Sequence, residues 1–161
     1  MIGKKAVVLL CLSAFFLAAV VSWGEEEEIK SITAVRCNPS ALVIDGFLHD
    51  PVWELARRFG GFTQEEPEEG LAPTESTTVQ VVYDDEAVYF GLTMYDSEPN
   101  KIVARLTRRD RWVESDFVRF GIDSYHDHLT GFYFQTNAAG VQRDGCIYKD
   151  TRTDGSWDGV W

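Results

Sequence analysis

Catalytic signatures are missing from this chain. It has no G-x-S-x-G, no H-E-x-x-H and no glycine-rich phosphate loop, which leaves nucleophilic hydrolase, zinc-protease and nucleotide chemistry without support. Histidine is scarce, at three residues, and neither Cys37 nor Cys146 belongs to a C-x-x-C pair, so little is available to build a zinc centre. His126-Asp127-His128 reads as a turn. Positive charge is also scarce: 15 lysines and arginines face 26 acids, for a net charge of -11. A chain this acidic does not neutralise a phosphate backbone, which argues against a nucleic-acid partner. With so many carboxylates any pair can be nominated for glycoside hydrolysis, so carboxylates alone identify no catalytic pair. The chain is therefore not read as an enzyme, and any glycoside hydrolase activity would belong to a longer parent.

What is present begins with an export signal. Lys4-Lys5, the apolar run Ala6 to Val21 and the small residues Ser22 and Gly24 have the three-part grammar of a signal peptide, and the run is short for a membrane span. The expected layout is a signal over 1–24, an acidic linker over 25–31 and one domain over 32–161. Cleavage after Ser22 or a lipid anchor at Cys11 are the alternatives. The location is then periplasmic, outer-membrane-associated or extracellular, with no transmembrane helix in the mature chain. Cys37 and Cys146 survive processing, and in an oxidising compartment they either form one bridge or remain free thiols.

Beyond Arg57 no segment carries a long helical period, and alternation dominates. Ile32 to Val35 and Ala41 to Ile44 read as short strands around the turn formers Asn38-Pro39-Ser40. Asp50-Pro51 opens a short helix to Arg57, with Trp53 and Ala56 on its inner face. Val79, Val81 and Tyr83, then Asp84-Asp85-Glu86, then Val88, Phe90 and Leu92 spell a hairpin. Asp116 to Asp123, Gly131 to Asn137 and Val141 to Tyr148 continue it. The expectation is an all-β, antiparallel sandwich, jelly-roll-like, with one short helix near the N-terminus.

Asp116-Phe-Val-Arg-Phe-Gly-Ile-Asp123 followed by Thr130-Gly-Phe-Tyr-Phe-Gln-Thr-Asn137 resembles the core hairpin of family 9 carbohydrate-binding modules. Ile44-Asp-Gly-Phe-Leu-His-Asp-Pro-Val-Trp53 is similar to the opening motif of that family, and Val79 to Gly91 to its next hairpin. Arg108-Arg-Asp110, Asn137-Ala-Ala-Gly-Val-Gln-Arg-Asp144 and Ser156-Trp-Asp-Gly-Val-Trp161 resemble a subgroup in which this module precedes a large, uncharacterised β-rich region. That pattern runs on past Trp161, and Trp157, Val160 and Trp161 are apolar. The resemblance therefore implies that these residues begin a strand whose partners are missing, in a chain truncated at its C-terminus.

Trp112 lies in the polar run Asp110 to Asp116, before a strand, where an indole either caps the core or offers its face to the C–H face of a pyranose. The resemblance implies the second role, with Trp112 as one wall of a sugar site whose other aromatic wall lies beyond Trp161. The polar candidates are Glu114, Arg119, Tyr133, Gln135 and Asn137. Arg119 stands where the family usually has an acid, and Tyr133 and Gln135 where it has an amide and a basic residue. Residues 133, 135 and 137 share one strand face, which is either the site or the solvated side. Family members use calcium structurally, which implies a calcium ion here; Asp84, Asp85, Asp123 and Asp127 are its candidate ligands, with Asp96 and Asp144 behind them. No D-x-D-x-D-G loop is present, and Asp84-Asp85 is equally turn chemistry.

The expected function is that of a non-catalytic carbohydrate-binding domain of an exported protein, tied to carbohydrate catabolism through its parent, with an oligo- or polysaccharide and its own C-terminal region as partners. The rival is a structural domain that docks onto that β-rich region, possibly a membrane barrel, and binds no sugar.

Overall fold

A computed structural model describes residues 30–38 and 42–161. The expected signal peptide and most of the acidic linker lie outside these residues. Thr33–Trp161 clusters as one unit. It is all-β apart from one short helix, α1 (Pro51–Leu55), and a 3-10 turn at Pro99–Lys101. The first sheet contains β1 (Val35–Arg36), β2 (Thr77–Tyr83) and β3 (Val88–Met94); the second contains β4 (Phe117–Ile122), β5 (Gly131–Asn137), β6 (Gln142–Tyr148) and β7 (Arg152–Asp154). Strand order within each sheet is chain order.

The hairpins follow from alternation and turn chemistry. Between β2 and β3 the Asp84 carboxylate accepts the Glu86 and Ala87 N–H groups, and this closes the turn that sets the register Tyr83↔Val88. β1 differs from expectation. It is two residues long and runs parallel to β2, while Phe59 bridges Val79 farther along the same edge. Residues 42–44 form no strand.

Paired residues of neighbouring strands point to one side, so Gln80 and Val82 share a face with Gly91 and Tyr89. α1 covers that face and forms a core of Val52, Trp53, Ala56 and Val82. Gly91 is needed there, because a Cβ would lie 2.8 Å from Trp53 Cζ3. The Gln80 amide donates to the Trp53 and Ala56 carbonyls. Ala56 is extended, and the helix stops at Leu55 rather than Arg57. Asp50 holds the N-cap position, but its carboxylate accepts the Val43 N–H instead of capping the helix.

Phe90, on the other face of the first sheet, meets Phe120 of the second at 4.6 Å between ring centroids. Phe120 stacks on its cross-strand partner Phe134 at 5.5 Å. Trp157 packs on Phe132 at 4.7 Å and Trp161 on Phe134 at 5.4 Å. This corrects the expectation of a C-terminal strand: residues 157–161 form none, and the two indoles fold back over the phenylalanines of β5. Val160 alone points fully outward.

Cys37 and Cys146 are both free. Cys37 donates its N–H to Tyr83 O and flanks the α1 core, whereas Cys146 sits in β6 between Phe132 and Asp154. Cys37 follows β1 of the first sheet while Cys146 lies within the second, and the disulfide is not formed.

Candidate functional site

The three subgroup-like segments, remote in sequence, converge. Asp144 is fully buried and accepts Arg109 Nη2 at 2.5 Å, the Gly159 N–H at 2.6 Å and the Trp161 indole. Arg109 also donates to Gln142 Oε1 at 3.0 Å and Gly159 O at 2.8 Å, and pairs with Asp158 at 3.0 Å. Burial pushes the Asp144 carboxyl up, but the Gly159 N–H, the indole and the guanidinium outweigh it and hold the group below the usual carboxylate range. Arg109 is therefore the cation that ties the C-terminal run to the second sheet.

Near residues 142–144, β6 has no β7 partner, since pairing with β7 begins at Cys146. The loop after Leu106 takes that edge: Asp110 donates its N–H to Gln142 O, and Asp110 Oδ1 accepts the Asp144 N–H. Because successive strand residues face opposite sides, Asp144 meets Arg109 on one face while Arg143 projects on the other. On that second face it lies beside Trp112, its guanidinium carbon 5.8 Å from the ring centroid. The ionic node thus anchors the loop that presents Trp112.

Trp112 is 59% exposed and meets Phe117 edge to face at 5.7 Å. Beside it is a depression of about 10 Å³, walled by Arg111, Trp112, Phe117, Gln135, Asn137 and Arg143 among others. A volume of that order holds one water-sized group. Gln135 is only 6% exposed, but its side-chain amide has no hydrogen-bond partner among the described residues and its polar atoms still reach solvent. Asn137 is occupied: Nδ2 donates to Arg105 O, and Oδ1 accepts the Ala139 and Val141 N–H groups. It shapes the wall and offers nothing to a ligand.

The other three nominated residues do not line the depression. Tyr133 is 2% exposed, covered by the Arg119 guanidinium 3.9 Å above its ring, and packed so closely on β6 that a Cβ at Gly145 would lie 2.6 Å from its Cε1. Glu114 turns outward to Arg105 at 3.4 Å. The structure therefore brings Trp112, Gln135 and Asn137 into one cleft wall, leaves Arg119 and Tyr133 beside it on the same sheet face with the one covering the other, turns Glu114 away, and adds Arg111 and Arg143, which sequence reasoning missed.

The calcium candidates do not converge. Asp84 and Asp85 lie in the β2–β3 turn, and Asp123 and Asp127 in the β4–β5 turn. Asp85 pairs with Arg36. The Glu86 and Ala87 N–H groups, assisted by the Tyr89 hydroxyl, hold the Asp84 carboxyl low. The His128 N–H does so at Asp123, and the Thr130 hydroxyl with the Leu129 and Thr130 N–H groups does so at Asp127. Asp96 accepts the Glu98 N–H. These oxygens serve turn donors. Among the described residues the one close carboxylate triple is Asp110, Asp144 and Asp158, and Arg109 already pairs with each of them. A divalent cation does not fit there alongside the guanidinium.

Compared with protein-family models, curated proteins and solved structures, the chain matches none of them. Among the described residues no helix is long and apolar enough to cross a membrane.

Proposed function

We propose that the protein is a non-catalytic carbohydrate-binding module of an exported parent, and that it takes an oligo- or polysaccharide on Trp112. One observation carries this reading: an exposed indole stands beside the Gln135 amide, which reaches solvent and has no hydrogen-bond partner among the described residues. An amide that meets only water is free to exchange that water for a ligand hydroxyl. A pyranose laid on the indole places its C–H face on the ring and one hydroxyl in the depression, where the Gln135 amide both donates and accepts. Arg111 and Arg143 supply further donors at the rim. A one-sided platform of this kind supports about 4–5 kcal/mol of binding, a Kd of roughly 0.2–1 mM. Affinity electrophoresis through soluble polysaccharides tests it. The wild type should be retarded by at least one glycan, and Trp112→Ala should migrate freely while melting within about 2 °C of wild type. Undiminished retardation of Trp112→Ala would refute the site.

A second reading rests on a groove of about 240 Å³ bordered by Met94, Tyr95, Ile102 and Phe117, all exposed and apolar. Such a surface suits docking onto a β-rich C-terminal region without sugar binding. In that case Ile102→Asp, and not Trp112→Ala, abolishes association with the region.

A further inference from the structure

We infer that the sugar taken by the Trp112 cleft is acidic, carrying a carboxylate or a sulfate ester; this rests on the reading of the cleft as a glycan site. The chain has 26 acidic residues against 15 basic ones, yet the cleft wall contains two arginines and no carboxylate. Of the nearby arginines, Arg105 is paired with Glu114 and Arg109 with Asp110, Asp144 and Asp158, whereas Arg119, cross-strand from Gln135, has only the ring of Tyr133. Arg111 and Arg143, in the cleft wall itself, likewise have no anionic partner among the described residues. Arg111 has no side-chain hydrogen bond or ion pair among the described residues, and Arg143 has only the Trp112 ring. Glu114, two residues from Trp112, is drawn off to Arg105 and leaves the cleft without a negative charge.

An unpaired guanidinium has a planar fork of donors that matches a carboxylate or sulfate better than a hydroxyl. Two of them share the cleft wall with a stacking surface and a neutral amide, so that the ring, one hydroxyl and one anionic group of a single sugar residue each meet a partner. A neutral sugar satisfies the indole and Gln135 but leaves both guanidinia facing only hydroxyls and water.

Isothermal titration with a glucuronosyl disaccharide, its neutral glucosyl counterpart and a 6-O-sulfated counterpart tests the inference, with inorganic sulfate as a free-anion control. At low ionic strength one or both acidic sugars should bind about tenfold more tightly than the neutral one, and added salt should shrink the difference. Arg111→Gln and Arg143→Gln should each bring acidic and neutral sugars to within about twofold of one another. Arg111 lies on an exposed loop, so its variant reports even if Arg143→Gln loses stability. Equal affinity for all three sugars overturns the charge assignment and leaves the glycan reading standing. No binding of any sugar, with Trp112→Ala indistinguishable from wild type, overturns the glycan reading itself. Sulfate alone binding as tightly as the acidic sugars overturns the inference in favour of a simple anion site.

Discussion

Asp144→Ala removes the acceptor at the centre of the node that holds the C-terminal run, and its cost follows from the contacts. Asp144 is fully buried and receives the Arg109 guanidinium, the Gly159 N–H and the Trp161 indole. Breaking a fully buried ion pair costs about 3–5 kcal/mol because the surviving charge is stranded. Here the survivor is not stranded: the Arg109 side chain is 35% exposed and keeps Asp158 at 3.0 Å. What remains is the loss of three charge-assisted hydrogen bonds to the carboxylate, offset in part by Asp158 and by water, about 3 kcal/mol. For a domain of this size that corresponds to a fall in Tm of roughly 10 °C. Thermal melting followed by circular dichroism gives the number, and hydrogen exchange at the Gly159 amide reports whether the segment has come loose. Both should change together. A Tm within about 2 °C of wild type, with Gly159 still protected, would show that Trp157 and Trp161 hold the segment through aromatic packing alone and that the node is incidental.

Acid should destabilise the protein with a definite sign. Asp84, Asp123, Asp127 and Asp144 all have carboxyls held below their ordinary value by donors that exist only in the fold. Their stabilisation is complete above the unfolded carboxylate pKa of about 4 and is lost as pH falls through the lower folded values, so Tm measured against pH should be level near neutrality and drop below that point. A Tm that stays level into strong acid would contradict the hydrogen bonds assigned to these turns. Calcium titration and chelation should both leave Tm unmoved, because the turn carboxylates are engaged by N–H donors; a rise with calcium, by mass action, would mean that the turns reorganise around an ion. Gly145→Ala should cost about 2 kcal/mol, because its Cβ would lie 2.5 Å from the Asp154 carbonyl oxygen and 2.6 Å from Tyr133 Cε1. A neutral effect in urea denaturation would show that β7 is free to move aside.

Local patterns were legible wherever local chemistry decides. The alternation through Val81 and Phe90 with Asp84 between them, and the Asp50-Pro51 helix start, are short-range signals, and the β2–β3 hairpin and α1 follow them. The site was legible by half. Period-two spacing correctly placed Tyr133, Gln135 and Asn137 on one face, but it says nothing about what lies above each residue. Arg119 covers Tyr133, the Arg105 carbonyl and two N–H groups occupy Asn137, and only Gln135 stays open. Arg143 joins the site through the pairing Gln135↔Arg143. That register is set by the turn Ala138–Gly140, in which Asn137 accepts both the Ala139 and Val141 N–H groups, and it could have been sought there. The C-terminal indoles misled because apolar residues at the end of a β-pattern look like a strand; their partners, Phe132 and Phe134, are more than twenty residues away.

The most direct test of the account is a ¹⁵N-resolved NMR titration of the wild-type protein with an oligosaccharide that retards it. The Trp112 indole, the Gln135 side-chain amide and the Arg143 guanidinium resonances should shift together at the lowest ligand concentrations, while the Trp53 and Trp157 indoles and the backbone of β3 stay in place. Shifts centred on Met94, Tyr95 and Ile102, with Trp112 and Gln135 unmoved, would contradict the assignment of the Trp112 cleft as the binding site.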